Sequence, residues 1–140
     1  KTVVDLKTTF ETVAHVGLHQ YPHIRPLYFL DDARRFREAL DLPLVYVGGV
    51  ISRANADEVL DREGFDFVQM GRALLNEPDF VNRMRNDDTH RCGCDHVNYC
   101  IARMYSREMA CHKHCADLTP EIRKEIEKIK RQNAKEEANG

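Results

Sequence analysis

Two groups of residues in this sequence have types and spacings that can do chemistry. The first is a pair of glycine turns, Gly48–Gly49 and Gly71–Arg72. Each follows an apolar, β-rich run, PLVYV and FDFVQM, and each precedes a helical pattern. Glycine lets a ligand come close to the backbone and leaves N–H groups to point at it. A helix N-terminus nearby adds partial positive charge, and Arg72 adds a fixed planar cation. Two such turns opening side by side suit a phosphate group. The second group is residues 91–115, RCGCDHVNYCIARMYSREMACHKHC, which holds all five cysteines together with His96, His112 and His114. Thiolate and imidazole at this density can bind zinc or an iron–sulfur cluster.

The elements that must position the glycine turns can be read in order. Leu44–Val47 is a short apolar run, the pattern of a strand buried on both faces. Ser52 then caps a helix with Ala56, Val59 and Leu60 on one face, and Gly64 ends it. Phe65–Met70 makes the second strand. The unit is βαβ, which implies two parallel strands and a right-handed crossover. Upstream, residues 31–41 read as a helix capped by Asp31 or Asp32, with Ala33, Phe36 and Leu40 buried. Its arginines, Arg34, Arg35 and Arg37, form a solvated face diluted by Asp32, Glu38 and Asp41. Downstream, Arg72–Leu75 reads as a small extra helix. Asn76 then caps another, with Asp79 at its third position and Phe80, Val81 and Met84 turned inward.

The flanks carry less chemistry. His15, His19 and His23 recur every four residues, but Gly17, Pro22 and Pro26 break any long helix, so they read as a surface connection. Tyr99 and Tyr105 read as packing residues. A final helix starts at Thr119 as N-cap and Pro120 as first helical residue. Its apolar stripe is Ile122, Ile126 and Ile129, and its last residues, KEEANG, are expected to be disordered.

Composition bounds these readings. The 140 residues suit one domain with a modest core and fall short of the roughly 250 that a whole (β/α)8 barrel needs. Lys plus Arg is 21 and Asp plus Glu is 23, a formal net charge of −2, so nothing calls for nucleic acid or an anionic membrane. No run is long and apolar enough to span a bilayer. Cysteines clustered with histidines point to a reducing compartment, and the expected location is cytoplasmic.

VGGV followed by FVQMGRALLNEPDFVNRM and then a cysteine cluster resembles the C-terminal end of the old yellow enzyme family. The likeness is to its NADH:flavin oxidoreductase branch, which includes 2,4-dienoyl-CoA reductases, and it runs from about Phe29 to about Cys111. The resemblance implies an α/β fold, the C-terminal portion of a (β/α)8 TIM barrel. Residues 1–90 would hold its last two βα units, residues 91–116 a Cys/His-rich segment and residues 117–140 a helical tail. It implies that Gly48, Gly49, Gly71 and Arg72 hold the phosphate of FMN, with NAD(P)H as reductant and an activated alkene, an enone or dienoyl thioester, as substrate. Residues touching the flavin ring would come from earlier strands, so no catalytic residue is assigned.

The resembled branch also carries a four-cysteine 4Fe–4S motif. Cys94, Cys100 and Cys111 match three of its positions, and Val97 stands at the other, so the motif is incomplete and a fourth ligand for zinc or a cluster would come from Cys92, His96 or Cys115. The implied partners are a small-molecule substrate and the rest of the barrel in a longer chain. A homo-oligomer is the further partner class, since unpaired strand edges are sticky. Two other readings stay open. A non-redox phosphate-binding barrel would use the same turns but has no need of the cysteines. A Cys/His metal-binding module would leave the turns unexplained.

Overall fold

The computed structural model describes residues 26–104 and 107–139, so the expectations for His15, His19, His23 and Tyr105 lie outside the described residues. The described chain divides into two compact units, one ending at Cys94 and the other beginning at Asp95.

The first unit is built on two short parallel strands, β1 (Val45–Val47) and β2 (Phe67–Gln69). Val45 pairs with Phe67, Tyr46 with Val68 and Val47 with Gln69. Helix α1 (Leu30–Ala39) precedes the sheet, and α2 (Arg53–Asp57), continued by a π-helical turn at Glu58–Arg62, connects its strands. Short helices α3 (Arg72–Asn76) and α4 (Phe80–Asn86) follow. Ser52 starts α2 as expected, its Oγ accepting the Asn55 N–H at 3.2 Å. Leu30, Tyr46, Val50, Ala56, Val59 and Phe65 form one core cluster; Ile51, Ala73, Phe80, Met84 and Cys92 form another.

Several expectations need correction. The strands are shorter than the apolar runs, and β1 buries only one face: Tyr46 is 1% exposed, while Val45 and Val47 stay 54% and 51% exposed. Side chains alternate along a strand, and the helices here pack on Tyr46's side alone. Neither Asp31 nor Asp32 caps α1. Phe29 holds the N-cap position, and the two aspartates sit in the first turn, where they complement the helix dipole. The buried residue of α1 is Leu30; Phe36 and Leu40 are exposed, and Phe36 borders a groove of about 340 Å³ between α1 and β1. The π-turn widens the helical repeat, which leaves Ala56 and Val59 buried and Leu60 exposed. Asn76 ends α3 rather than capping α4. Asp79 takes that capping position, and its carboxylate pairs with Arg83 at 2.9 Å. Phe80 and Met84, one turn apart, take the buried face of α4, which leaves Val81 outside.

Arg34 ties α1 to the end of the connecting segment. Its Nε donates to Glu63 at 2.7 Å and its terminal nitrogen at 2.5 Å, a bidentate pair. That hydrogen bond holds the Glu63 carboxyl below its usual range. A carboxyl depressed by folding contributes stability above its unfolded pKa, about 4.3, and loses that contribution as pH falls through the lower folded value. Glu63→Gln should therefore be less stable than the parent near neutral pH, with the gap closing in acid. Urea midpoints of both proteins across the acid range check this, and a constant gap would refute it.

The second unit holds α5 (Tyr99–Arg103), a 3-10 turn at His112–His114 and α6 (Pro120–Asn139). Val97, Tyr99, Ala102, Ile126 and Ile129 form its core, with Ile122, Leu118 and Cys115 packed against them. Thr119 caps α6 as expected, accepting the Ile122 N–H at 3.4 Å. The helix runs to Asn139, through most of the expected disordered end, because its last turns contain only helix-compatible residues. Arg103 fastens the far side, donating to the Tyr99 hydroxyl at 3.0 Å and to both Asp117 oxygens at 3.1 Å; Arg107 pairs with the same carboxylate. Among the described residues no helix is long and apolar enough to cross a membrane.

Candidate functional site

Because β1 and β2 are parallel and their register ends at Val47 beside Gln69, the chain leaves both strands at the same end of the sheet. Gly48–Gly49 follows β1 at once, and Gly71–Arg72 follows β2 one residue later. The carbonyls of these turns are used internally. Gly48 accepts the Tyr46 hydroxyl at 2.8 Å, Gly49 accepts the Leu27 N–H at 3.2 Å and Gly71 accepts the Leu75 N–H at 3.1 Å. The donors differ: the Gly48 N–H faces the Gln69 carbonyl as the last rung of the parallel ladder, whereas among the described residues no hydrogen bond uses the N–H of Gly49 or Gly71.

The two glycines differ in why they are glycine. Gly48 has φ +147°, and a Cβ there would meet Phe29 Cδ2 at 3.1 Å and the Tyr46 hydroxyl at 3.2 Å. The fold itself requires it. Gly71 has φ −103°, which any residue adopts, and a Cβ there would meet nothing within 4 Å. Nothing in the packing requires it.

Arg72 stands beside this open space. Its guanidinium donates to the Tyr28 hydroxyl at 3.2 Å and lies 5.5 Å from the centroid of that ring. Tyr28 meets Phe29 edge-on at 4.5 Å, and Phe29 covers Gly48. An aromatic pair thus links the surroundings of one turn to the cation of the other. Tyr28 and Phe29 were given no role from the sequence; the two adjacent aromatics after Pro26 were the available signal. Burial pushes the Tyr46 hydroxyl up to about 12, so it remains a neutral donor to Gly48. Helix α3 has only five residues, so the cationic character of the site rests on Arg72 rather than on a helix dipole. Amide donors, an open cradle at Gly71 and a guanidinium fit the phosphate end of FMN. The described residues of this unit assign nothing to its ring.

Glu77, half of the EP pair, was also missed as a structural anion. Burial would push its carboxyl up, but the Gly93 N–H at 2.7 Å and His90 Nε2 at 2.8 Å outweigh burial and hold it below the usual range.

The cysteines present a different picture. They form no disulfide with one another. Cys94 is half-buried, Cys100 is buried on α5, and Cys111 immediately precedes the 3-10 turn. Burial pushes the Cys111 thiol up. Among the described residues no three His, Cys, Asp or Glu side chains converge as a ligand set. Val97, at the position of the resembled second cysteine, is 3% exposed and packs with Tyr99, Ala102, Ile126 and Ile129. His96 and Asn98 on either side are left-handed, at φ 55° and 57°, and turn the chain about it. A four-cysteine cluster does not fit a position that builds the apolar core. The polar centre of this segment is instead a hydrogen-bonded pair, in which His112 Nε2 meets both Asp95 oxygens at 2.9 and 3.0 Å.

Known proteins similar to this chain are reductases by name. It is 40% identical over 97 residues, 64% of the chain, to a 4,4'-dithiodibutanoate disulfide reductase of Rhodococcus erythropolis, and the match covers 24% of that protein. It is 27% identical over 84 residues to a bilirubin reductase of Mediterraneibacter gnavus (strain CC55_001C), covering 60% of the chain and 11% of the relative. An NADH:acrylate oxidoreductase of Vibrio harveyi is 38% identical over 48 residues, 34% of the chain and 5% of the relative. The chain therefore spans a quarter or less of the length of these curated relatives. No family model and no solved structure matches it.

Proposed function

We propose that this chain is the C-terminal part of an FMN-dependent NAD(P)H oxidoreductase and supplies its flavin-phosphate site. The observation that carries the reading is the pair of turns leaving one end of a parallel sheet. The N–H groups of Gly49 and Gly71 have no acceptor among the described residues, and Gly71 opens onto a space that no packing explains. The reductase names of the relatives support the redox half. In this reading residues 26–90 are the last two βα units of a (β/α)8 barrel, and earlier strands cover the exposed face of Val45, Val47 and Phe67. The substrate class is an activated alkene, a class to which the acrylate of the Vibrio relative's name belongs.

The bound flavin would supply hydride transfer from a nicotinamide to the substrate. The chain's own residues bind and orient. The Gly49 and Gly71 amides donate to phosphate oxygens, Gly48 lets the phosphate approach the turn, Arg72 balances the charge, and Tyr28 holds Arg72 in place. Titrating FMN and riboflavin into the protein, followed by flavin fluorescence, tests this. FMN should bind at least about tenfold more tightly than riboflavin, and Arg72→Ala should remove most of that difference. Equal affinity for both flavins, or no binding of either, would refute the assignment.

A further inference from the structure

We infer that residues 90–93 are a strap that sets the spacing of the two glycine turns, with Cys92 and Glu77 as positioning residues for the anion between them. The inference rests on reading those turns as a phosphate site. Past Val47 and Gln69 the strand ladder stops. Among the described residues no main-chain hydrogen bond runs directly between residues 48–51 and 70–73. The strap joins them instead. The Cys92 N–H donates to the Ile51 carbonyl at 2.8 Å, and Arg91 pairs with Ser52 as an antiparallel bridge. On the other side the Cys92 thiol donates to the Ala73 carbonyl at 3.7 Å and accepts from Asn76 Nδ2 at the same distance. Ile51 lies two residues past Gly49, and Ala73 two residues past Gly71, so one buried residue grips both turns at equal remove.

Glu77 keeps the strap in place. Oε1 accepts from the Gly93 N–H at 2.7 Å and from Asn76 Nδ2 at 3.2 Å, and Oε2 meets His90 at 2.8 Å. The carboxylate therefore anchors the strap at both ends, on either side of Cys92. Cys92 is thereby assigned to packing and spacing rather than to the metal chemistry that its neighbours suggest. Donors held at a fixed separation bind an anion more tightly than the same donors left to move.

The test is titration of inorganic phosphate into the isotope-labelled chain, following the amide resonances of Gly49 and Gly71. In the parent both should shift with one dissociation constant. Glu77→Ala should weaken that constant about tenfold, in the range typical for loss of a supporting-shell contact. Glu77→Gln, which still accepts from Gly93, should restore most of it. Val59→Ala, a core change remote from the strap, should leave it unchanged, which separates positioning from general loss of stability. Should Glu77→Ala fail to fold, Cys92→Ala keeps the main-chain bond to Ile51 and should still weaken binding about threefold. An unchanged constant in the folded Glu77 or Cys92 variant overturns the strap and leaves the phosphate site standing. A parent whose glycine amides ignore phosphate overturns both.

Discussion

Phe80→Ala should lower the stability of the unit that carries the glycine turns by about 3–5 kcal/mol, a large part of the 5–15 kcal/mol typical of a domain. Phe80 is 0% exposed and sits among Ile51, Ala73, Met84 and Cys92. Those neighbours come from four separate segments, so no single element can move in to fill the space a benzyl group leaves. The penalty should approach the transfer term plus the full cavity term. The ring also lies 6.0 Å from the His90 ring, at the start of the strap, so the cavity would open beside the contacts of Glu77. Val81→Ala, one residue on but 41% exposed, should change stability by less than about 0.5 kcal/mol. Hydrogen exchange at the amides of this unit in increasing urea would measure both. A Phe80→Ala loss below about 1 kcal/mol would mean that the packing around α4 is looser than described.

How much of this was legible follows from which interactions are local. The two strand runs, their glycine stops, the Ser52 cap and the Thr119–Pro120 helix start all depend on residues within a few positions of one another, and each was readable. Burial is not local. Phe36 and Leu40 have the right spacing for a buried stripe, yet what lies over them depends on whether a neighbouring element is present, and among the described residues none covers them. Val45 and Val47 are exposed for the same reason: a βαβ unit with helices on one side of its sheet leaves the other side open. The strap was not legible, because the Cys92–Ile51 and Gly93–Glu77 bonds span 41 and 16 residues and Cys92 sits in a run whose composition suggests metal chemistry. The displacement of Leu60 by a π-turn leaves no periodic signal that a search at 3.6 residues would find.

Alanine at the two turn glycines should give opposite results. Gly48→Ala forces a side chain into φ +147°, where L-residues cost about 1–3 kcal/mol, and drives its methyl to 3.1 Å from Phe29 and 3.2 Å from the Tyr46 hydroxyl. Relief requires Phe29 or Tyr46 to move. Tyr46 is 1% exposed and bonded to Gly48 itself, while Phe29 leans on Tyr28, which holds Arg72. Overpacking adds about 1–3 kcal/mol, so Gly48→Ala should be clearly destabilised and should also misplace the guanidinium. Gly71→Ala meets no atom within 4 Å at an ordinary φ, so it should leave stability unchanged or raise it by about 0.4–1 kcal/mol through the unfolded chain. Its affinity for FMN should nonetheless fall at least about tenfold, because the methyl would occupy the approach to the amide that is proposed to hold the phosphate. A glycine selected only for its turn would lose stability and affinity together. One kept for a ligand loses affinity alone. Denaturation and flavin titration on the same two variants separate these cases, and a Gly71→Ala protein that binds FMN as tightly as the parent would remove Gly71 from the site.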